Sequence, residues 1–485
     1  MLSLGAPAEY GNLTGAVYNV VTRQGTNEFH GDVNYYFQSD SLTGTNTEPK
    51  DDGVFDDETG ELIARFPYTT EEFTDYSVQL GGPIAKDRLW FFASYNKQED
   101  GWLSRGADPS IGPLASNFDD ADRLFLKANL QINPSHSVVF SYNVDEHSER
   151  VGIDDQSAPS TAWKRTTETP TPSLGYTAVL SDRTLLDVRA TGFRSEVFLG
   201  PSDPSAPLQE PRFLDIDRYY YYGGHYYFYD LEPTRTTMNA KLSHLADDFL
   251  GASHDFRFGV QYNDSSAGGI YGYNDFVYTY SISYPGYGYG FSRPIFSYSG
   301  NTEALGLFLD DTIRVNDRLT LNFGVRYDEN RAYSEAQDEL DENGNPTGVR
   351  FDEVEHYTWE YISPRFGFNY QLTGDGRTVL KGHFGRYHRA IATGEFANVI
   401  GPSIKPYFAG VYDTFAGDFE FLDQITDNTN LLVDSNYKSP RTDQFILSLE
   451  RQLKGNIGLA LNLVYKRGRD FAAWRDIGGI YESVT

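Results

Sequence analysis

The sequence predicts an all-β chain whose strands build a transmembrane antiparallel β-barrel, and three observations carry that prediction. Segments of about ten residues alternate apolar and polar side chains, the pattern and length of a tilted strand that crosses a bilayer. Connections alternate strictly between short turns and loops of about 20 to more than 50 residues, the asymmetry of outer-membrane barrels. The apolar content leans on aromatics, with 36 Tyr and 33 Phe against 2 Met, where a soluble core leans on Leu, Ile and Val.

Taken in order, the stretch Tyr10 to Gln38 sets two strand types side by side. GAVYNVV is a short apolar run bracketed by Gly15 and Gly25, as in a strand buried on both faces. After the turn signal Gly25-Thr26-Asn27, Val33, Tyr35 and Phe37 alternate with Asp32, Asn34 and Gln38. Everything downstream repeats this second type. Phe73–Leu80 and LWFFASYN are joined by GGPIAKDR; Leu124–Ile132 and Val138–Val144 are joined by NPSHS. Further pairs are Ser173–Leu180 with Leu185–Phe193, Thr236–Leu245 with His254–Tyr262, and Thr302–Ile313 with Leu319–Asp328. Pro364–Leu372 with Thr378–Tyr387 and Thr442–Leu453 with Ile457–Tyr465 complete the set. The count is roughly 15 strands, and the repeated unit is a hairpin. In Leu319–Asp328 the apolar parity holds Leu319, Leu321, Phe323, Val325 and Tyr327, and the polar parity faces the lumen.

Mean hydropathy is −0.50, and no stretch approaches the ~18–20 consecutive apolar residues of a membrane helix. An average cannot register apolar residues spread over alternate positions, so it does not argue against a barrel. The formal net charge of −29 makes nucleic acid an improbable partner, because phosphate binding needs a basic surface. Cysteine is absent, which excludes disulfides and thiolate metal sites. MLSLGAPAEYGN lacks the basic start and apolar core of a signal peptide, and the last strand has no partner. The chain is therefore expected to be a piece of a longer protein.

With these hairpins in place, the chain resembles the TonB-dependent outer-membrane receptors, in particular the Oar-like group with a carboxypeptidase-regulatory-like domain. AEYGNLTGAVYNVVTRQGTNEFHG (Ala8–Gly31) is similar to that family's plug-to-barrel junction, and LGGPIAKDRLWFFASY (Leu80–Tyr95) to its first barrel hairpin. Leu305–Asp328, Ser363–Tyr387 and Arg441–Leu453 resemble later hairpins. The resemblance implies a barrel of about 22 strands filled by an N-terminal plug. Residues 1–29 would then be the end of the plug, with its last strand, and 30–485 an incomplete barrel. It also implies a Gram-negative outer membrane, contact with its lipid, and energy from the TonB–ExbB–ExbD complex, whose contact segment this chain lacks.

No catalytic constellation is present: the nine histidines are scattered, and none sits in HExxH or beside a GxSxG turn. No enzyme activity and no cofactor are expected. Asp338, Asp341 and Asn343 are weak candidates for a cation loop, since hard cations want closely spaced oxygens; a hairpin tip with an Asn-Gly turn explains them better. Tyr219, Tyr220, Tyr221, Tyr222, Tyr226 and Tyr227, with Tyr287 and Tyr289, are candidates for gripping an extracellular ligand, because Tyr supplies rigid amphipathic contact area. The competing explanation is an interfacial girdle. The function expected is import of an extracellular ligand through a plugged barrel. The alternatives are an outer-membrane adhesion or protein-export factor on the same barrel, and a soluble carbohydrate-binding β protein.

Overall fold

Alternation of side chains on both edges of long hairpins leaves one architecture open, a single antiparallel wall, and that is what forms. The computed structural model describes residues 5–12, 17, 20–44, 53–55, 59–65, 69–103, 116–152, 156–279, 286–341, 343–396, 399, 407–425, 432–473 and 475. Fifteen long strands run β1 (His30–Ser39), β2 (Thr69–Ala85), β3 (Leu89–Leu103), β4 (Asn117–Asn133), β5 (His136–Val151), β6 (Trp163–Ser181), β7 (Thr184–Arg194) and β8 (Thr234–Phe249). The remainder are β9 (Ala252–Tyr273), β10 (Phe296–Asn316), β11 (Leu319–Ser334), β12 (Val354–Gln371), β13 (Thr378–His388), β14 (Arg441–Gln452) and β15 (Gly458–Arg469). Each pairs antiparallel with its sequence neighbours. Among the described residues β1 pairs only with β2, and β15 only with β14.

The wall is apolar outside and polar inside. Leu307 and Leu309 of β10 lie opposite Tyr327 and Val325 of β11 on the outer surface, where Leu307 is 47% and Val325 43% exposed. Phe258, Phe323, Ile362, Phe366, Phe445 and Leu447 continue that exposed apolar belt. On the other parity Arg326, Asp328, Asn330, Ser363 and Arg365 are buried. A soluble protein would hide the first set and show the second; only a lipid surround makes the arrangement favourable.

Several strands run 15 to 22 residues, well beyond the ~10 that a bilayer needs. The excess lies at the end carrying the long loops. There Glu196–Pro201 and Tyr227–Leu231 extend the wall above β7 and β8. Above it stands a six-stranded sheet assembled from three different loops, in the order Tyr220–Gly223, Arg212–Asp215, Phe276–Thr279, Tyr287–Ser292, Phe408–Asp413 and Asp418–Gln424. One face of it is dry: Val277 is fully buried, and Phe213 stacks on Tyr222 and meets Tyr412 edge-on.

The first part of the loop that runs on from β13, whose later residues join the six-stranded sheet, folds into the lumen. Ile391 and Phe396 pack on Trp359 and Ala332 of the inner wall. Arg389 donates to Glu395 (Nη1 to Oε2, 2.7 Å), and the Tyr437 hydroxyl donates to the same carboxylate. Burial alone pushes the Glu395 carboxyl up, but these bonds outweigh it and hold the group below its ordinary range. Gly300 on β10 lets the loop approach, since a Cβ there would stand 2.0 Å from the Thr393 carbonyl oxygen.

The strand expected over GAVYNVV lies largely outside the described residues. Its last two positions, Val20 and Val21, are exposed coil.

Candidate functional site

Two features occupy the inside of the wall, and the first is a grip on residues Gly5–Asn12. The turn Pro7–Tyr10 closes on itself through Tyr10 N–H to the Pro7 carbonyl, 3.1 Å. Asp310 of β10 accepts the Ala8 and Glu9 amides, each at 2.9 Å, so its two oxygens satisfy two backbone donors that would otherwise be buried and unpaired. Arg365 of β12 donates to the carbonyls of Ala6 (3.0 Å), Pro7 and Tyr10 (2.7 Å), and its guanidinium lies 4.5 Å from the Tyr387 ring centre. Arg326 of β11 is clamped by Asp328 through Nε at 2.8 and 2.9 Å and reaches the Ala8 and Glu9 carbonyls at 3.4 Å.

The grip extends around the wall. Lys241 of β8 pairs with Glu9 at 2.7 Å, and Gln261 of β9 donates to the Glu9 carbonyl at 3.0 Å. Tyr387 of β13 donates to the Ala6 carbonyl, Gln444 of β14 accepts the Gly5 amide, and Tyr361 and Asn330 hold Asn12. Seven consecutive strands thus hold eight residues. Across the lumen, Arg23 pairs with Asp32, Lys127 donates to Thr22, and Asn27 meets Asp87 and Trp90 at a short turn. His383 and His388, set beside an aromatic strand end in the sequence, belong to the same wall: His383 bonds Tyr387, and His388 stacks on Tyr361.

Glycine makes the close contact possible. A Cβ on Gly11 would stand 2.0 Å from Arg326 Nε, and one on Gly306 1.9 Å from its Nη2. Gly11→Ala is expected to lift the segment off the wall, read as new protease cleavage within residues 5–12 while heat-dependent gel mobility of the barrel is unchanged.

The second feature is a cavity of about 600 Å3 beneath the six-stranded sheet, within the usual range for small-molecule sites. The sheet's lower face supplies Arg212, Tyr221, Phe276, Tyr278 and Phe291, which the pairing register places on one side. Trp163, Tyr226, Tyr227 and Tyr407 close it from the barrel side. Arg212 stacks 4.5 Å from the Tyr221 ring centre. Arg293 lies 5.0, 4.5 and 4.7 Å from Tyr273, Phe296 and Tyr407 and donates to the Tyr407 hydroxyl at 2.9 Å. Below the cavity the aromatic lining continues down the inner wall through Tyr229, Tyr271, Phe296 and Tyr298.

Of the tyrosines singled out by sequence, Tyr221, Tyr226 and Tyr227 line this cavity and Tyr219 sits edge-on to Tyr221. Tyr289 and Tyr287 carry the same face outward past its mouth, both half exposed. Tyr220 and Tyr222 point to the other side, where Tyr222 donates to or accepts from Thr279 at 3.1 Å. Phe276, Tyr278 and Phe291 belong to the same aromatic stretch, 271–291, as Tyr287 and Tyr289, whereas Trp163, Arg212 and Tyr407 stand far apart in the chain with no local pattern to mark them. Asp338 is paired with Arg350 at 2.9 Å, and Asp341 accepts the Asn343 and Asn345 amides at a hairpin tip whose Gly344 has φ +81°. Asp119, His147 and Glu149 also converge on the inner wall, but His147 bonds Asp119 at 2.7 Å and Arg165 pairs with Glu149 at 2.5 Å.

His225, beside the cavity, is almost fully buried, with Nδ1 3.3 Å from Asn274 Nδ2. Burial first, and the nearby Arg212 second, push its pKa down from 6.5 to about 4. Between those values the unfolded chain binds the proton more readily, so stability falls as pH drops from 6.5 and the loss, at most about 3 kcal/mol, is complete near pH 4. Limited proteolysis of the six-stranded sheet is expected to accelerate over that window in the native protein and to lose the pH dependence in His225→Gln.

An apolar exterior, a polar lumen and an internal segment held by the wall define an outer-membrane β-barrel. The chain belongs to the outer membrane beta barrel domain family, whose pattern it matches over residues 21–101 and 234–480, and its place is the outer membrane of a Gram-negative bacterium. It is similar to the TonB-dependent transporter Oar of Myxococcus xanthus, 39% identical over 87 residues, 18% of this chain and 7% of that protein. In fold it resembles the outer membrane transporter YddB of Escherichia coli, with TM-score 0.64 and 13% identity over 96% of this chain and 55% of that one. The ferric-catecholate import receptor Fiu of E. coli K12 follows with TM-score 0.60 and 12% identity, over 98% and 63%. The chain thus spans less than two thirds of each of these relatives.

Proposed function

We propose that this chain forms barrel and plug end of a TonB-dependent receptor: residues 1–29 close the plug domain, and 30–485 form barrel wall and extracellular loops. Ligand arrives at the aromatic cavity, and the TonB–ExbB–ExbD complex supplies the work that frees the lumen. The observation that carries this is the seven-strand grip on Gly5–Asn12. Its bonds are many, directional and polar, so they hold firmly at rest yet can be replaced one at a time by water as the segment leaves. Dry apolar packing would offer no such exchange.

Ala8 is fully buried and the chain has no cysteine, which gives a direct test. In the full-length protein, Ala8→Cys places a thiol that is shielded at rest. Maleimide labelling of Cys-substituted cells is expected in an energised strain growing in its native medium and not in a strain lacking TonB. Equal labelling in both strains would rule the proposal out.

A further inference from the structure

We infer that the outer end of the six-stranded sheet docks an extended cationic peptide, one whose alternate side chains run basic, aromatic, basic. The inference concerns binding alone and holds whether or not the barrel transports.

The pairing register lays one row across all six strands on the face that lines the cavity: Tyr221, Leu214, Tyr278, Tyr289, Val411 and Phe421. Tyr221 and Tyr278 belong to the cavity itself. Tyr289, Val411 and Phe421 lie past its mouth and are 52%, 37% and 56% exposed. The opposite face of the same strands is already packed, with Tyr412 buried and meeting Phe213 and Phe419 edge-on. The sheet therefore has its core on one side and an apolar row in water on the other, the mark of a contact surface.

Charge on both sides of that row says what covers it. Asp413 and Asp418 are register partners on one side, beside Tyr287, and Asp423 lies on the other, two residues beyond Phe421. Side chains on one face of a strand stand about 7 Å apart, so carboxylate, apolar row and carboxylate follow at about that interval. An extended peptide presents its side chains i, i+2 and i+4 at the same interval. Val411 leaves a gap in the row, because Tyr289 and Phe421 are two strands apart, roughly 10 Å, which is room for one aromatic side chain between them. A basic group on either side of that ring then reaches Asp413 with Asp418, and Asp423. Asp413 is fixed for this role, its Oδ1 accepting the Phe415 and Ala416 amides at 2.8 and 3.1 Å. Among the described residues none of the three carboxylates forms an ion pair. An acidic peptide would meet three like charges. A neutral sugar also stacks on rings, but it leaves the charges on both sides of the row unanswered.

The test uses the full-length protein in lipid nanodiscs and dye-labelled, end-blocked peptides read by fluorescence anisotropy. The probes are Lys-Ser-Trp-Ser-Lys, its isomer Lys-Lys-Ser-Ser-Trp, and the acidic Glu-Ser-Trp-Ser-Glu, with maltohexaose as competitor. Saturable binding of the first is expected, about tenfold tighter than the acidic peptide and about threefold tighter than the isomer, since each exposed charge pair contributes a factor of up to about five. Raising the salt concentration should weaken it, and maltohexaose should not displace it. Asp413→Asn combined with Asp423→Asn should remove the preference for the basic peptide, and the amide at 413 keeps an oxygen for the two backbone N–H groups. Phe421→Ala should weaken all three peptides and leave their order intact. Unchanged protease resistance of the sheet confirms that the variants fold. Equal or tighter binding of the acidic peptide, equal binding of the isomer, no saturable binding of the first peptide, displacement by maltohexaose, or a preference unmoved in the double variant would each overturn the inference. The expected binding together with TonB-independent labelling at position 8 would remove the transport proposal and leave the docking surface standing.

Discussion

Replacing Arg326 with Met is expected to destabilise the barrel by about 3–5 kcal/mol, the cost of leaving a buried carboxylate without its partner. Arg326 and Asp328 are each about 1% exposed and face the same side of β11 two residues apart. The three contacts of the guanidinium with Asp328, at 2.7 to 2.9 Å, consume most of that carboxylate's accepting capacity. Once the guanidinium is gone, Asp328 has no other cation hydrogen-bonded to it among the described residues, and Arg365 acts on it only at longer range. The accompanying loss of the 3.4 Å contacts to Ala8 and Glu9 is smaller, because those are long bonds. A double-mutant cycle with Asp328→Asn separates the two effects: the double variant should recover most of the stability and none of the grip. Urea unfolding in detergent, followed by heat-dependent gel mobility, measures the first, and protease sensitivity of residues 5–12 measures the second. Equal losses in the single and double variants would show that the pair does not hold the wall together.

That Arg326 and Asp328 face inward was legible in the sequence. Leu319–Asp328 alternates cleanly, and the polar parity of such a strand has to face away from lipid. That they meet Ala8 and Glu9 was not legible, because the contact joins positions more than 300 residues apart and nothing local marks it. The same limit governs the strand ends. Beyond Tyr327 the strand continues through DENRAYS, whose buried face carries Asp328, Asn330, Ala332 and Ser334, so no apolar period survives to be read. The cavity shows both cases at once. Tyr221, Tyr226 and Tyr227 stood out as a run of tyrosines. The sheet that positions Tyr221 pairs strands of four to seven residues from three loops, too short to carry a periodicity and joined only through tertiary contacts.

Trp359→Ala is expected to open the lumen from above. Trp359 is 3% exposed and is the largest side chain in the cluster with Ala332, Ile391 and Phe396. Its indole N–H donates to the Tyr437 carbonyl at 3.1 Å, and Arg389 lies 5.6 Å from its ring centre. Truncating a buried Trp costs about 3–5 kcal/mol, but the wall itself does not depend on this ring. The β12 backbone stays paired to β11 and β13 whatever the side chain. The loss therefore falls on the start of the loop, which the Tyr298 hydroxyl also holds through the Thr393 carbonyl and which the Arg389–Glu395–Tyr437 cluster braces internally. Those polar bonds trade almost evenly with water once the apolar packing beneath them is gone. In planar bilayers the full-length variant should show higher ion conductance than the native protein, with proteolysis confined to residues 389–399. Adding Glu395→Gln should raise the conductance further, because the ion pair braces the loop's first turn; adding a change on the outer face, such as Ile362→Val, should not. If conductance in Trp359→Ala stays at the native level while the loop becomes protease-sensitive, then Gly5–Asn12 and the residues it carries seal the lumen without help from above.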